Sequence, residues 1–401
     1  MRRSIAVAIL FSVLSAGLAQ QGAPVVPAVA VKPAAEPPGP DIAKFSPQER
    51  GAYVGAKSAM EWLARLNQPD GRFLPGIQPA LRTPLESDSY LHQAAAAWAL
   101  GQASAYFGDE RAAAVAKQAV LTLLLETTVD PQTNGRFTVA PEPMLNRLAS
   151  GGLLALAIHA LPRPANDLVH QAEQLLHHLR LQQQADGSFK LDADGIQHAS
   201  GWALHAIVRS HSHRPEAWKL DALRKAAAHY HAWWREHKNV PMIATHTAAY
   251  AEAYQHAKDT VFATAIFDMN DWLCTLQYAN RDARRPHWTG GMQPWVDGKP
   301  SPTAPDIRSA DAARSLACAC RVAHQAGDAA RLQRYRAALA ACVEFVGTLQ
   351  YTEANTQHFA DWYRQKLLIG AFYASHQDGN LRLDATAHAV AALMAYLQTA
   401  P

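Results

Sequence analysis

From Ser46 onward, apolar residues recur every three or four positions, in stretches broken by short polar turns. The pattern predicts twelve helices in six pairs: 46–67 with 88–107, 109–126 with 146–160, 166–184 with 198–210, 216–237 with 243–257, 259–278 with 306–325, and 329–350 with 384–398. Strand-like alternation is nearly absent. Ser46, Pro47 and Glu49 read as a capping box with proline at the first helical position, where its missing N–H costs nothing. The last helix, approached through GAFYASHQDGNLRLDATAHAVAALMAYL (370–397), is almost uncharged in its second half. It should therefore be buried on nearly every side, with polarity confined to its N-terminal tip.

The pairs resemble one another, which marks a repeat architecture. First helices end alike, as Trp62-Leu63-Ala64-Arg65-Leu66-Asn67, Trp272-Leu273-Cys274-Thr275-Leu276-Gln277 and Phe345-Val346-Gly347-Thr348-Leu349-Gln350. A turn recurs as Asp70-Gly71-Arg72-Phe73, Asn134-Gly135-Arg136-Phe137 and Asp186-Gly187-Ser188-Phe189, where glycine permits a left-handed turn and Phe drops back onto the core. Gly108-Asp109 and Gly327-Asp328 each end one helix and cap the next. Second helices carry the small residues, Ala94–Ala97, Gly151-Gly152 and Ala310–Ala313, which suit a crowded inner ring. Six such pairs close into an all-α (α/α)6 toroid, expected over residues 46–401.

Ahead of it, residues 1–19 read as a signal peptide: Arg2 and Arg3, an apolar run from Ile5 to Leu14, then Gly17 and Ala19 at the cleavage site. Residues 20–45 hold six prolines and read as a disordered tether. These segments predict an exported protein, periplasmic or secreted, without a stable membrane anchor. The formal charge of +3 falls further when the two N-terminal arginines are removed, which excludes nucleic-acid binding driven by bulk charge.

LQQQADGSF and LNQPDGRF resemble the QW-type repeats of the terpenoid cyclase and protein prenyltransferase toroids. That resemblance implies a helical barrel with a central cavity, a shape shared with six-hairpin glycosidases, polysaccharide lyases and uronate epimerases. The toroid superfamily's chemical motifs are absent: there is no Asp-x-Asp-Asp, no Asp-Asp-x-x-Asp and no Cys-Gly-Glu-Gln. Arg382-x-Asp384 followed by His388 resembles the end of glucuronyl C5-epimerases, with different spacing and without their aromatics.

If second helices line one axis, their tips converge on a polar pit. The tips offer Asp88 and Tyr90 with His92, Asn146 and Arg147, His198 with Ser200, His246 between Thr245 and Thr247, Asp306, Arg308 and Asp311, then Arg382, Asp384 and His388. Asp88, Asp311, Asp384, His388, His198, His246 and Tyr90 are the catalytic candidates. Two carboxylates flanking a glycosidic bond perform hydrolysis. Elimination or epimerisation at a uronate needs Arg, Asn or His against the carboxylate and Tyr or His to move the proton. Arg382, Arg308, Arg147 and Asn146 are candidates for substrate binding. Each has a structural alternative: aspartates as caps, histidines as hydrogen-bonded core residues, Arg382 and Asp384 as an ion pair.

Two long loops interrupt the repeat. Residues 279–305 carry Arg281, Arg284, Arg285, Trp288 and Trp295, and residues 351–381 carry Trp362, Tyr363 and Tyr373. Aromatics among arginines suit stacking on sugars and pairing with their acidic groups, or else pack the loop onto the barrel. Both loops are expected over the same side of the pit. Cys274, Cys318, Cys320 and Cys342 lack metal-site spacing, and a disulfide among them stays open. No cofactor or metal is implied. The expected ligand is a polysaccharide or oligosaccharide, bound by an enzyme (hydrolase, lyase or uronate epimerase), or by a non-catalytic glycan- or peptide-binding toroid. A terpenoid-cyclase-like protein is the third reading.

Overall fold

The computed structural model describes residues 41–86, 88–139, 146–190, 197–278 and 282–399. The expected signal peptide and nearly all of the expected tether lie outside these residues. At the tether's end, Ile42–Lys44 form a 3-10 turn capped by Asp41, and Phe45 packs edge-on against Tyr53 at 5.9 Å.

Twelve long helices alternate between two rings, as the periodicity predicts. The outer ring is α1 (Pro47–Arg65), α3 (Glu110–Leu125), α5 (Asn166–Gln182), α7 (Ala217–Glu236), α9 (Thr260–Cys274) and α11 (Ala329–Thr348). The inner ring is α2 (Tyr90–Phe107), α4 (Arg147–Ala160), α6 (His198–His213), α8 (Val240–Ala257), α10 (Ser309–Gln325) and α13 (Leu383–Leu397), with a single turn, α12 (Asp361–Tyr363), in the last loop. Each inner helix packs on the next, and α13 returns to α2, so the ring closes. Burial follows position: every residue from Leu148 to His159 of α4 is buried, whereas α1 buries only the face carrying Ala52, Ala56, Ala59, Trp62 and Leu63.

Small residues make the inner ring possible. A Cβ on Gly152 would stand 2.7 Å from the Trp202 backbone, and one on Gly201 would stand 2.2 Å from Thr245 Oγ1, so α4, α6 and α8 approach at distances only glycine allows. The capping box at Ser46 and the caps at Asp109 and Asp328 form as expected. Gly71 and Gly187 take the left-handed conformation (φ 89° and 93°), and Phe73 and Phe189 are buried behind them. In the third turn the left-handed residue is Asn134 (φ 58°) rather than Gly135, and Phe137 stays half-buried.

The shared amide at the end of first helices has a defined task. Gln183 Nε2 donates to Gly187 O of its own turn and to Ala222 O of the next outer helix. Gln277 Nε2 does the same with Gly290 O and Ala338 O. Gln350 Nε2 reaches Gly370 O and Gly55 O, tying the end of α11 to α1 and closing the outer ring.

The structure corrects the near-absence of strands. Short strands pair in the loops: β1 (Gly76–Gln78) with β2 (Thr83–Pro84), β3 (Thr127–Val129) with β4 (Arg136–Thr138), β5 (Trp295–Val296) with β6 (Lys299–Pro300), and β7 (Tyr373–Ser375) with β8 (Asp378–Arg382). β1 also pairs with β8, giving a four-stranded sheet in the order β2-β1-β8-β7 that delivers the chain into α13. All four cysteines are free thiols, and Cys318, Cys320 and Cys342 are buried. No helix among the described residues is long and apolar enough to cross a membrane.

Candidate active site

The tips of α2, α6, α10 and α13 bring a charged cluster to the N-terminal end of the inner ring. At its centre, His388 Nδ1 lies 2.6 Å from Asp311 Oδ1. Beside it Asp384 accepts two hydrogen bonds from Arg382, at 3.0 and 2.9 Å, and its Oδ2 lies 3.5 Å from His92 Nε2. Helical spacing explains the grouping: Asp384 and His388 are four apart on α13, and α10 and α2 flank α13 on either side.

The imidazoles divide into two kinds. Burial opposes a charge on His388, but the carboxylate of Asp311, with Asp384 beyond it, outweighs burial and holds His388 above its ordinary value. Asp311 is the counterpart: burial works against its charge, and His388 and then Arg314 hold it below the usual carboxylate range. Asp384 is likewise held low against burial by Arg382, His92 and His388. His92 and His198 move the other way. Burial lowers both, and the opposing pulls of Asp384 on His92 and of Asp311 on His198 do not restore them. His198 itself is exposed at the start of α6.

Arg314 forms the floor. It is 4% exposed, lies three residues past Asp311, and sits over both Trp202 and Trp98, at 4.8 and 5.3 Å, where the two rings meet edge-on at 5.6 Å. Trp202 in turn follows His198 by one helical turn. Trp98, Trp202 and Arg314 were not among the sequence candidates. For Arg314 and Trp202 the signal was the residue one turn inside a polar tip, at Asp311 and His198; Trp98 lies deeper in α2 and had no such signal.

Other candidates lie elsewhere. Tyr90 is buried and donates its hydroxyl to Leu123 O, toward the outer ring. His246 is buried against Ser200 Oγ at 3.0 Å and Met242 O at 3.0 Å, and burial lowers it to about 3. Asp88 is near enough to act on His92, but its oxygens accept from Arg72, Gln93 and Ser89. Asn146 caps α4, and the Arg147 guanidinium lies over Phe137 at 5.3 Å. Arg308 is exposed and held by Asp306.

The loop aromatics mostly pack. Trp288 is buried under Arg285 and beside Tyr278, and Trp295 meets Trp272 of α9 edge-on at 5.0 Å. Tyr363 is buried, with its hydroxyl 3.5 Å from Pro79 O, and Tyr373 donates to Thr348 O at the end of α11. Trp362, 65% exposed, is the aromatic these loops leave open to solvent. Arg281 lies outside the described residues.

No family model matches the chain, and no curated protein matches it in sequence. Solved structures do match in fold. A D-mannose isomerase superposes with a TM-score of 0.64 at 10% identity, over 89% of this chain and 100% of the other. Cellobiose 2-epimerase from Bacillus thermoamylovorans gives 0.62 at 10% identity, over 88% and 98%. An α-1,6-mannanase from Salegentibacter sp., inactivated at two successive aspartates and complexed with α-1,6-mannotriose, gives 0.58 at 11% identity, over 87% and 100%. At these identities the likeness establishes the (α/α)6 six-hairpin fold. It carries the six-hairpin side of the sequence resemblance and not the terpenoid cyclase side.

Proposed function

We propose that the chain is a carbohydrate-active enzyme that moves protons rather than cleaving glycosidic bonds: a sugar epimerase or isomerase working in the central pit. The observation that carries this reading is the pair of imidazoles pushed in opposite directions. Asp311 favours the protonated form of His388 against burial, and burial favours the neutral form of His198. Two titratable groups so separated are an acid and a base. They stand on α13 and α6, which are third neighbours around a six-membered ring and so face one another across the pit.

In the proposed step, neutral His198 takes the proton from the carbon beside the carbonyl of an open-chain sugar. The bonding pair becomes a C=C bond, and the carbonyl oxygen takes a proton from His388, giving an enediol. Nδ1 of His388 is engaged by Asp311, which leaves Nε2 to donate. Return of a proton to the opposite face inverts the centre, and return to the neighbouring carbon moves the carbonyl. Trp98 and Trp202 offer an apolar floor for the sugar face, and Arg382 with Asp384 and His92 offers polar groups for its hydroxyls.

Hydrolysis is the weaker fit. It needs one protonated carboxyl opposite an ionised one, and Asp311 and Asp384 are both held low and paired. This chain also has no two successive aspartates of the kind whose change inactivates the mannanase. The isomerase and the epimerase among the fold relatives support the proton-transfer reading, and the mannotriose complex supports a carbohydrate ligand.

The test is proton NMR of reducing sugars, neutral and uronate, incubated with the protein in D2O. Loss of the C2 proton signal is expected. His388→Gln and His198→Gln should each slow exchange by about 10²–10⁴-fold, the usual scale of general acid–base catalysis. New reducing ends without exchange would instead make it a hydrolase, and silence on every sugar with binding retained would make it a binding module. We further propose export through cleavage after Ala19, with residues 20–45 as tether. N-terminal sequencing of the periplasmic or secreted protein should begin at Gln20, and an intact cytoplasmic chain would overturn this.

A further inference from the structure

A second cavity, of about 380 Å³, lies beyond the Trp98–Arg314–Trp202 floor, among the C-terminal halves of the inner helices. Its walls differ from those of the pit. Arg209 of α6 and Arg314 and Arg321 of α10 face it with one carboxylate, Glu252 of α8; α2 and α13 contribute no charge. Glu252 is already satisfied, by Arg209 at 3.0 Å, His205 Nε2 at 3.4 Å and Ser212 Oγ at 3.2 Å. Burial works against its charge, but Arg209 and His205 hold it down at about 2.

The guanidiniums are only partly satisfied: Arg209 has Glu252, and Arg321 Nη2 donates to Cys318 Sγ at 3.2 Å. Nε and Nη1 of Arg314 are buried without a hydrogen-bond partner, and its Nη2 has only Ala244 O at 3.5 Å and Asp311 at 4.0 Å. Nε of Arg209, Nε of Arg321 and Nδ1 of His205 are also buried and unpartnered. Buried donors left unmet are costly, and these five atoms belong to four side chains that line this one cavity. The negative ends of the inner helices explain arginines at the mouth, near Gln255 and Gln398. They do not explain Arg314, which lies in the second turn of α10, far from its C-terminal end.

We infer that this cavity is a binding site for a small ligand bearing an oxyanion, a phosphate or a carboxylate, held by Arg314 and Arg321 with Arg209 at its edge. The site shares Arg314 and Trp98 with the candidate active site, but it does not rest on the sugar chemistry proposed there. A planar guanidinium fork matches both kinds of oxyanion, and the volume admits a molecule the size of a sugar phosphate or sugar acid.

Isothermal titration calorimetry of the full chain tests this with inorganic phosphate, glucose 6-phosphate and glucuronate in low-chloride buffer. At least one should bind, and which one separates a phosphorylated from a carboxylated ligand. Arg321→Gln should weaken that binding by about tenfold or more, since a charge-assisted hydrogen bond is removed. Arg314→Gln should abolish it, and if that variant does not fold, Arg321→Gln decides. Arg382→Gln, in the pit, should leave it unchanged. Absence of binding by all three anions, binding indifferent to Arg321→Gln, or binding lost in Arg382→Gln would each overturn the inference.

Discussion

At the scale of single residues, the protein's chemistry rests on how burial and neighbouring charge divide its histidines. His388 and His246 are both enclosed by the inner ring, but only His388 touches a carboxylate, so one is held charged and the other neutral. The consequences for stability have opposite signs. The folded value of His388 is raised, so its contribution is full below the unfolded value near 6.5 and fades as pH rises through the folded value. His246, lowered to about 3, must take up a proton on unfolding below about 6.5, so stability falls as the solution is acidified from there. Asp311, held low, adds a loss at still lower pH, through its folded value. Melting temperature against pH should therefore fall on both sides of a plateau. In His388→Gln the decline on the alkaline side should shrink while the acid limb persists, since it comes from His246 together with His159, His92, His198 and His205, all lowered by burial. An unchanged alkaline limb would mean that the Asp311–His388 pair does not stabilise the fold.

At the scale of elements, the repeated amides at the ends of outer helices do more than end helices. The Leu-Gln signature at Gln277 and Gln350 is visible in the sequence, but its distant partners are not, because Ala338 and Gly55 lie on the next outer helix; Asn67, by contrast, bonds within its own turn. Gln350→Ala leaves the carbonyls of Gly55 and Gly370 without that donor in a buried seam. It should cost about 1–3 kcal/mol, read as a lower denaturant midpoint with unchanged slope. Helices themselves were legible to within about four residues at each end: α2 and α3 meet at Gly108-Asp109 as expected, whereas α8 starts at Val240 rather than 243 and α9 ends at Cys274 rather than 278. The short strands were not. They are two to five residues long and held by backbone pairing, and β1 meets β8 only because the toroid brings residue 76 beside residue 382.

At the scale of the whole molecule, closure decides what is a site. α13 is the last inner helix and touches α2, α10 and α1, so it completes the ring and supplies Asp384 and His388 together. Deletion of residues 383–401 should expose the apolar flanks of α2 and α10 and yield a chain that elutes as aggregate in size-exclusion chromatography. A monomeric truncated chain with native helicity would show that the ring is not cooperative. The sequence by itself determined the helical class, the six pairs, which helices lie inside, and the polar tips, because period, side-chain size and capping are local properties. It also grouped Asp384 with His388, since a helix places residues four apart on one face. Only the tertiary structure decided that Asp311 meets His388, that Tyr90 and His246 turn into the walls, and that Arg314 meets two tryptophans and a cavity among the C-terminal halves of the inner helices. Those outcomes depend on the rotation of each helix about its own axis. Packing against both neighbours sets that rotation, and no spacing along the chain encodes it.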